Sequence, residues 1–169
     1  DNCGIDSIWT NDTLFTCANT GLNSATLYAR DVNGNIDSCL ATVTVLDTIS
    51  PTVVCNDTAI YLPLSGSIII DTSYILTSAN DNCIVDSIWT NDTLYNCSNI
   101  GVNTATIYAR DANGNIDSCT ANVTVIDTIN PIVVCNDTTI YLNTLGSYTI
   151  DTSYVFASAT DNCGVDSVW

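Results

Sequence analysis

Apolar and polar residues alternate along most of this chain. In Ala105-Thr106-Ile107-Tyr108-Ala109-Arg110 and Ala121-Asn122-Val123-Thr124-Val125 the period is close to two, as in a strand with one face buried and one in solvent. Between them lies Asp111-Ala112-Asn113-Gly114-Asn115, and Asn-Gly is a strong hairpin signal because both residues tolerate a positive φ. Further short strands are predicted at 52–62, 67–75, 84–90 and 93–97. No stretch shows the spacing of an amphipathic helix. Thr, Val, Ile and Tyr dominate, and they suit pleated strands. About seven short strands separated by turns predict an all-β fold, an antiparallel β-sandwich of immunoglobulin type. Trp89 is expected to anchor the core between the two sheets.

The pattern repeats. DNCGIDSIWTNDTL at residue 1 returns as DNCIVDSIWTNDTL at 81, and DNCGVDSVW returns at 161; 55 of 80 aligned positions are identical between the first two periods. A period of 80 residues means tandem modules, and its arbitrary phase implies a window from a longer array. Proline, which cannot donate to a sheet ladder, follows an apolar strand end in LDTISP and IDTINP, so boundaries are placed at Pro51 and Pro131. Residues 1–50 are then the C-terminal part of one repeat, 51–130 a complete repeat, and 131–169 the N-terminal part of the next.

Composition narrows the function classes. Eighteen acids against two arginines give a net charge of −16, with no His or Met, and Lys, Glu and Gln are also missing. General acid–base chemistry through His or Glu and Schiff-base chemistry through Lys are therefore absent, and no enzyme is expected. There is no basic surface for a nucleic-acid backbone and no apolar run long enough for a membrane span. Arg30 and Arg110, beside Asp31 and Asp111, are expected to form ion pairs or strand-face hydrogen bonds.

TISPTVVCNDTAIYL, SANDNC and ATIYARDANGNIDSCTANVTVIDT resemble the hyalin-repeat family of immunoglobulin-like modules, with its Pro-x-Val-x-Cys opening, Thr-Asp-Asn-Cys centre and Asp-x-x-Gly-Asn-x-x-x-Cys end. The resemblance covers the whole unit and implies an adhesive or scaffolding extracellular protein, in bacteria a long array at the cell surface. The chain departs from the family in lacking a Cys in SGSIIIDTSY and carrying an extra one in TLYNCSN. Nine cysteines at spacings of 14, 22, 16 and 28, without a CxxC pair, argue against zinc and for disulfides formed in an oxidising compartment. Four cysteines per period allow three connectivities. The pairing adopted is Cys55–Cys119 and Cys83–Cys97, with Cys3–Cys17 by the same rule; Cys39, Cys135 and Cys163 are assigned partners outside the window.

Thirteen of the eighteen aspartates are followed by a hydroxyl residue: Ser7, Thr13, Ser38, Thr48, Thr58, Thr72, Ser87, Thr93, Ser118, Thr128, Thr138, Thr152 and Ser167. The triplet resembles the Asp-(Ser/Thr)-apolar acceptor of a general O-glycosylation system of some Gram-negative bacteria, which implies covalent glycans on those hydroxyls. Local Asx-turn chemistry is the alternative explanation. Asn-x-Ser/Thr also occurs at Asn11, Asn56, Asn91, Asn96, Asn122 and Asn136, where N-linked sugar is the weaker expectation in so Asn- and Thr-rich a chain. Sugar on outward hydroxyls would keep an apolar-rich array from associating edge to edge.

Asp31, Asn33, Asn35 and Asp37, and their equivalents Asp111, Asn113, Asn115 and Asp117, alternate oxygen-bearing side chains around a glycine, as in a calcium loop; a plain hairpin turn is the competing reading. Asp47 and Asp127, beside the next module's Asp-Asn-Cys turn, are further places where calcium would stiffen a joint. These features predict a structural tandem-repeat segment of a secreted or cell-surface fibre or adhesin stalk. Its partners are neighbouring repeats of the same protein in a homopolymeric fibre. The alternative is a calcium-stiffened module that binds a glycan or receptor.

Overall fold

A computed structural model describes all of residues 1–169, and about half of them lie in strands, with little helix. β1 (Ile5–Thr10), β2 (Gly21–Asp31) and β3 (Ile36–Val45) form one antiparallel sheet. There follow β4 (Thr52–Cys55), β5 (Thr58–Tyr61), β6 (Ser67–Ile69), β7 (Leu76–Asn80), β8 (Val85–Thr90), β9 (Leu94–Asn96), β10 (Gly101–Asp111) and β11 (Ile116–Ile126). β12 (Ile132–Cys135), the single helical turn α1 (Thr152–Val155) and β13 (Phe156–Thr160) close the chain.

The middle unit is an immunoglobulin-like sandwich. One sheet runs β5-β11-β10-β8, with β5 parallel to β11 and the other pairs antiparallel. The opposite layer consists of two short antiparallel pairs, β4-β7 and β6-β9. The alternation read from the sequence is realised: Ala105, Ile107 and Ala109 of β10 and Ala121, Val123 and Val125 of β11 point inward. They meet Val53, Ile60 and Tyr95 from the other strands, and Leu62, Ile70 and Ile75 from the segments beside them, in one cluster.

Every fully buried residue lies between Pro51 and Val125. The flanking stretches repeat the strands without closing a core: β1-β2-β3 has the register of β8-β10-β11, with Ala25 opposite Ala41 as Ala105 is opposite Ala121. The second layer is missing there, so Leu27 is 45 % exposed where Ile107 is 0 %. Likewise β12 pairs with β13 as β4 does with β7, yet Val133 is 54 % exposed against 8 % for Val53.

Three local expectations are corrected. Residues 70–75 are not strand, because the Asp71 carboxylate accepts from Ser73 N–H and caps a 3-10 turn at Thr72–Tyr74; the next strand begins at Leu76. In the 111–115 hairpin only Gly114 takes a positive φ, at 95°, and no residue other than glycine does so anywhere. Trp89 is not a core residue. It lies directly across from Tyr108 and stacks on it with centroids 5.4 Å apart, on the face opposite Ile107 and Ala109. A bulge near Arg110 and Asp111 changes which β8 side chains face inward, which the sequence alternation did not reveal.

Candidate functional site: the joints between modules

The connections between successive repeats concentrate the polar and covalent chemistry of the chain. Cys17, in the turn after the first sheet's edge strand, is bonded to Cys83 of the middle unit, and Cys97 is bonded to Cys163 of the following one, with Cα separations of 5.4 and 5.2 Å. The third bridge, Cys55–Cys119, stays inside the middle unit and ties β4 to β11, joining the two layers beside the core.

Of the pairs expected from the sequence, Cys55–Cys119 is present, whereas Cys83–Cys97 and Cys3–Cys17 are not. Cys163 is bonded within this chain, and Cys3, Cys39 and Cys135 are exposed thiols. The reason is strand direction. Val85 pairs with Asp111 at one end of β10, while Cys97 leads into Gly101 at the other. At about 3.3 Å per residue these ends are roughly 33 Å apart, far beyond the span of about 4.4–6.8 Å that a disulfide bridges. Cys83 and Cys97 therefore face opposite neighbours, and each reaches across a joint.

Hydrogen bonds reinforce both joints. At the first, Asp47 accepts from Asn82 Nδ2 at 3.2 Å and from Asn113 Nδ2 at 3.1 Å, and Asn115 Nδ2 donates to the carbonyls of Asp47 and Ile49. At the second, Asn162 Nδ2 donates to Asp127 Oδ1 at 3.1 Å and approaches the Pro63 carbonyl. Gly66 sits in the same contact with φ +71°, and a Cβ there would come within 2.6 Å of the Asn162 carbonyl oxygen.

The hairpin loops proposed for calcium are organised from within and then used by the joint. Asp111 is 1 % exposed. Its Oδ1 accepts from the N–H groups of Asn113 and Asn115, and its Oδ2 from Asn115 Nδ2 at 2.7 Å. Burial pushes this carboxyl up, but the Asn115 side chain and the N–H groups of Asn115, Asn113 and Gly114 outweigh it and hold it below the usual range. Asp31 makes the same bonds to Asn33 and Asn35. Asp37 and Asp117 are exposed on the strands that follow, opposite Ala29 and Ala109. Acidic and sulfur atoms do come together at the first joint, where Asp47, Asp81 and Cys83 lie within 4.8 Å of one another. Cys83 is oxidised there, which leaves two carboxylates as hard ligands.

The aspartates of the Asp-Ser/Thr pairs have structural duties. Asp12 and Asp92 accept from the N–H groups of Thr26 and Thr106. Asp57 takes two bonds from Asn122, whose N–H and amide hold its carboxyl low. Asp71 and Asp151 cap turns, and Asp47 and Asp127 accept from residues two further on. Asp6 and Asp86 pair with Arg30 and Arg110 across the strand, so each arginine turns away from its sequence neighbour; hydrogen bond and charge together depress both carboxyls. Turn and strand chemistry thus account for most of these acids. It does not account for the hydroxyls that follow them. None of the thirteen is buried, and only Ser7 makes a side-chain hydrogen bond, to Asp6.

No family model matches the chain, and no curated protein is similar to it. Among solved structures it is similar to extracellular cadherin domains 1–4 of protocadherin gamma B7, at 11 % identity and a TM-score of 0.39 over 80 % of this chain. The match spans 45 % of that structure's length. The class of protein is defined by its own strands and bridges: an all-β, disulfide-bonded chain with an immunoglobulin-like sandwich at its centre. Three disulfides belong to the chemistry of an oxidising compartment. No helix is long and apolar enough to cross a membrane.

Proposed function

We propose that this chain is a structural segment of an extracellular or cell-surface fibre or adhesin stalk, made of tandem repeats and carrying O-linked sugar on its Asp-Ser/Thr hydroxyls. The observation that carries the reading is the covalent stitching of each joint, Cys17–Cys83 and Cys97–Cys163. An enzyme or a free-standing receptor has no need to bond each module to the next, whereas a load-bearing array does. By the 80-residue equivalence Cys39 occupies the place of Cys119, Cys135 that of Cys55, and Cys3 that of Cys83. Cys3, like Cys83, is proposed to bond to the preceding repeat of the same protein, the principal partner in a homopolymeric fibre. Cys39 and Cys135, like Cys119 and Cys55, are proposed to close bridges within their own repeats. The exposed or half-exposed hydroxyls are open to modification, and no catalytic role forms part of the reading.

Intact-mass and glycopeptide analysis of native material tests the sugar. Mass additions on Ser7, Thr13, Ser87 and Thr93 are expected, and four unmodified hydroxyls would defeat it. A second reading, the calcium-stiffened module for a glycan or receptor, is favoured by one observation: Asp81 Oδ1 is buried without a hydrogen-bond partner beside Asp47. Chelation that loosens the joint and lowers the melting midpoint would support it.

A further inference from the structure

From the connectivity of the three disulfides we infer a further mechanical function: residues 17–163 form a tether whose extension is capped and which no single backbone cut divides. The bridges overlap. Cys17–Cys83 spans every peptide bond from 17 to 83, Cys55–Cys119 those from 55 to 119, and Cys97–Cys163 those from 97 to 163. Each span begins before the previous one ends, so any peptide bond between Cys17 and Cys163 lies inside at least one closed loop. A protease that opens a linker or a loop tip, the places most readily nicked, leaves the pieces joined. Cys55–Cys119 is needed for this, because it alone covers the stretch from Cys83 to Cys97.

The same bridges reroute tension. A force entering at Cys17 crosses to Cys83, follows the backbone to Cys97, and crosses to Cys163. Only 97 − 83 = 14 residues of backbone carry it, against 163 − 17 = 146 without the bridges. At about 3.5 Å per extended residue these are contours of roughly 50 Å and 510 Å. In the folded unit the load-bearing stretch already crosses the sandwich, about 33 Å at strand rise, so complete unfolding lengthens it less than twofold. The linker around Pro131 and both long strands β10 and β11 lie off the loaded path. Sequence spacing prepares this: Cys83 and Cys97 are the closest cysteine pair in the period, and strand β8 carries them to opposite joints.

Two measurements on the full chain test the inference. A protease site placed at 128–130 falls only within the Cys97–Cys163 loop. After cleavage, a denaturing gel without reductant is expected to show one species, and the same gel with a thiol reductant two fragments. The pair C97S and C163S should release both fragments without reductant, while a site at 48–50 in that variant should not. The gel is read in denaturant, so it reports covalent connection alone, and a disulfide map of the variant checks that Cys17–Cys83 and Cys55–Cys119 have formed. Fragments released from the wild-type chain before reduction would overturn the inference, as would a C97S/C163S chain that stays whole after the 128–130 cut. Pulled from its two ends, the oxidised chain should yield a Cys17-to-Cys163 contour about tenfold shorter than the reduced chain. Equal contours would refute the capped path. The inference rests on the stitched joints that also carry the fibre reading. A failed gel therefore removes both, whereas equal contours with an intact gel remove only the capped path. Neither measurement reads sugar, and unmodified hydroxyls leave the tether standing.

Discussion

Ile107 and Leu27 occupy the same place in successive repeats, on β10 and β2, but only Ile107 is closed over by a second layer. Replacing each by alanine therefore separates burial from sequence. Ile107 is 0 % exposed and belongs to the core cluster formed by both layers. Truncating a large aliphatic side chain in such a site costs the lost transfer energy plus a cavity, about 2–5 kcal/mol. The core is small and crossed by a disulfide beside it, which limits collapse into the void, so about 3–4 kcal/mol is expected for Ile107→Ala. Leu27 at 45 % exposure leaves solvent to fill the gap, and its loss is expected to cost about 1 kcal/mol or less. A single unit of this size is stable by about 5–10 kcal/mol, so the Ile107 change removes a large fraction and lowers the midpoint by about 15–20 °C. Urea titration of the oxidised chain, followed by tryptophan fluorescence, measures both. Equal losses at the two positions would refute the conclusion that the middle unit alone has a closed core.

Other consequences are checked as directly. Replacing Cys55 and Cys119 together by alanine opens a loop of 64 residues and should cost about 4 kcal/mol in the chain-entropy account; a loss under 1 kcal/mol in denaturant titration would remove that account. Tyr95 is buried with its hydroxyl unpartnered, and burial, helped by Asp92, raises its ionisation range. Tyr95→Phe is thus expected to leave stability unchanged or raise it by about 1 kcal/mol, and a clear loss would mean the hydroxyl has a partner. The carboxyls of Asp6, Asp31, Asp57, Asp71, Asp86, Asp111 and Asp151 are all held below their ordinary value in the folded chain. Their contribution is then present above the unfolded value near about 4 and lost as pH falls below it. Melting midpoints should be level above about pH 5 and decline below about pH 4, and a midpoint that rises in acid would contradict the sign. Both Asp47 oxygens already accept amide donors, so chelation is expected to leave the midpoint unchanged; a drop of several degrees would favour the calcium-stiffened reading.

Much was legible in residue order because it is encoded locally. The period follows from self-identity, and the inward positions of β10 and β11 from alternation, since the side-chain period of a strand is two. Asp57, Asp71 and Asp111 were visible as turn-forming acids, though the partners that use their oxygens were not. The bond Cys55–Cys119 was readable because the two cysteines recur at the opening and closing strands of one unit. The joints were not readable in this way. Cys83 and Cys97 are only 14 residues apart, and nothing in their spacing says that β8 crosses the sandwich between them and sets them on opposite neighbours. Trp89 was misplaced for a related reason: a single bulge beside Arg110 and Asp111 alters the face that each β8 side chain takes. Proximity along the chain and alternation are one-dimensional rules. Which ends meet, and which face is inside, depend on strand direction and sheet pairing, and these exist only once distant segments have packed together.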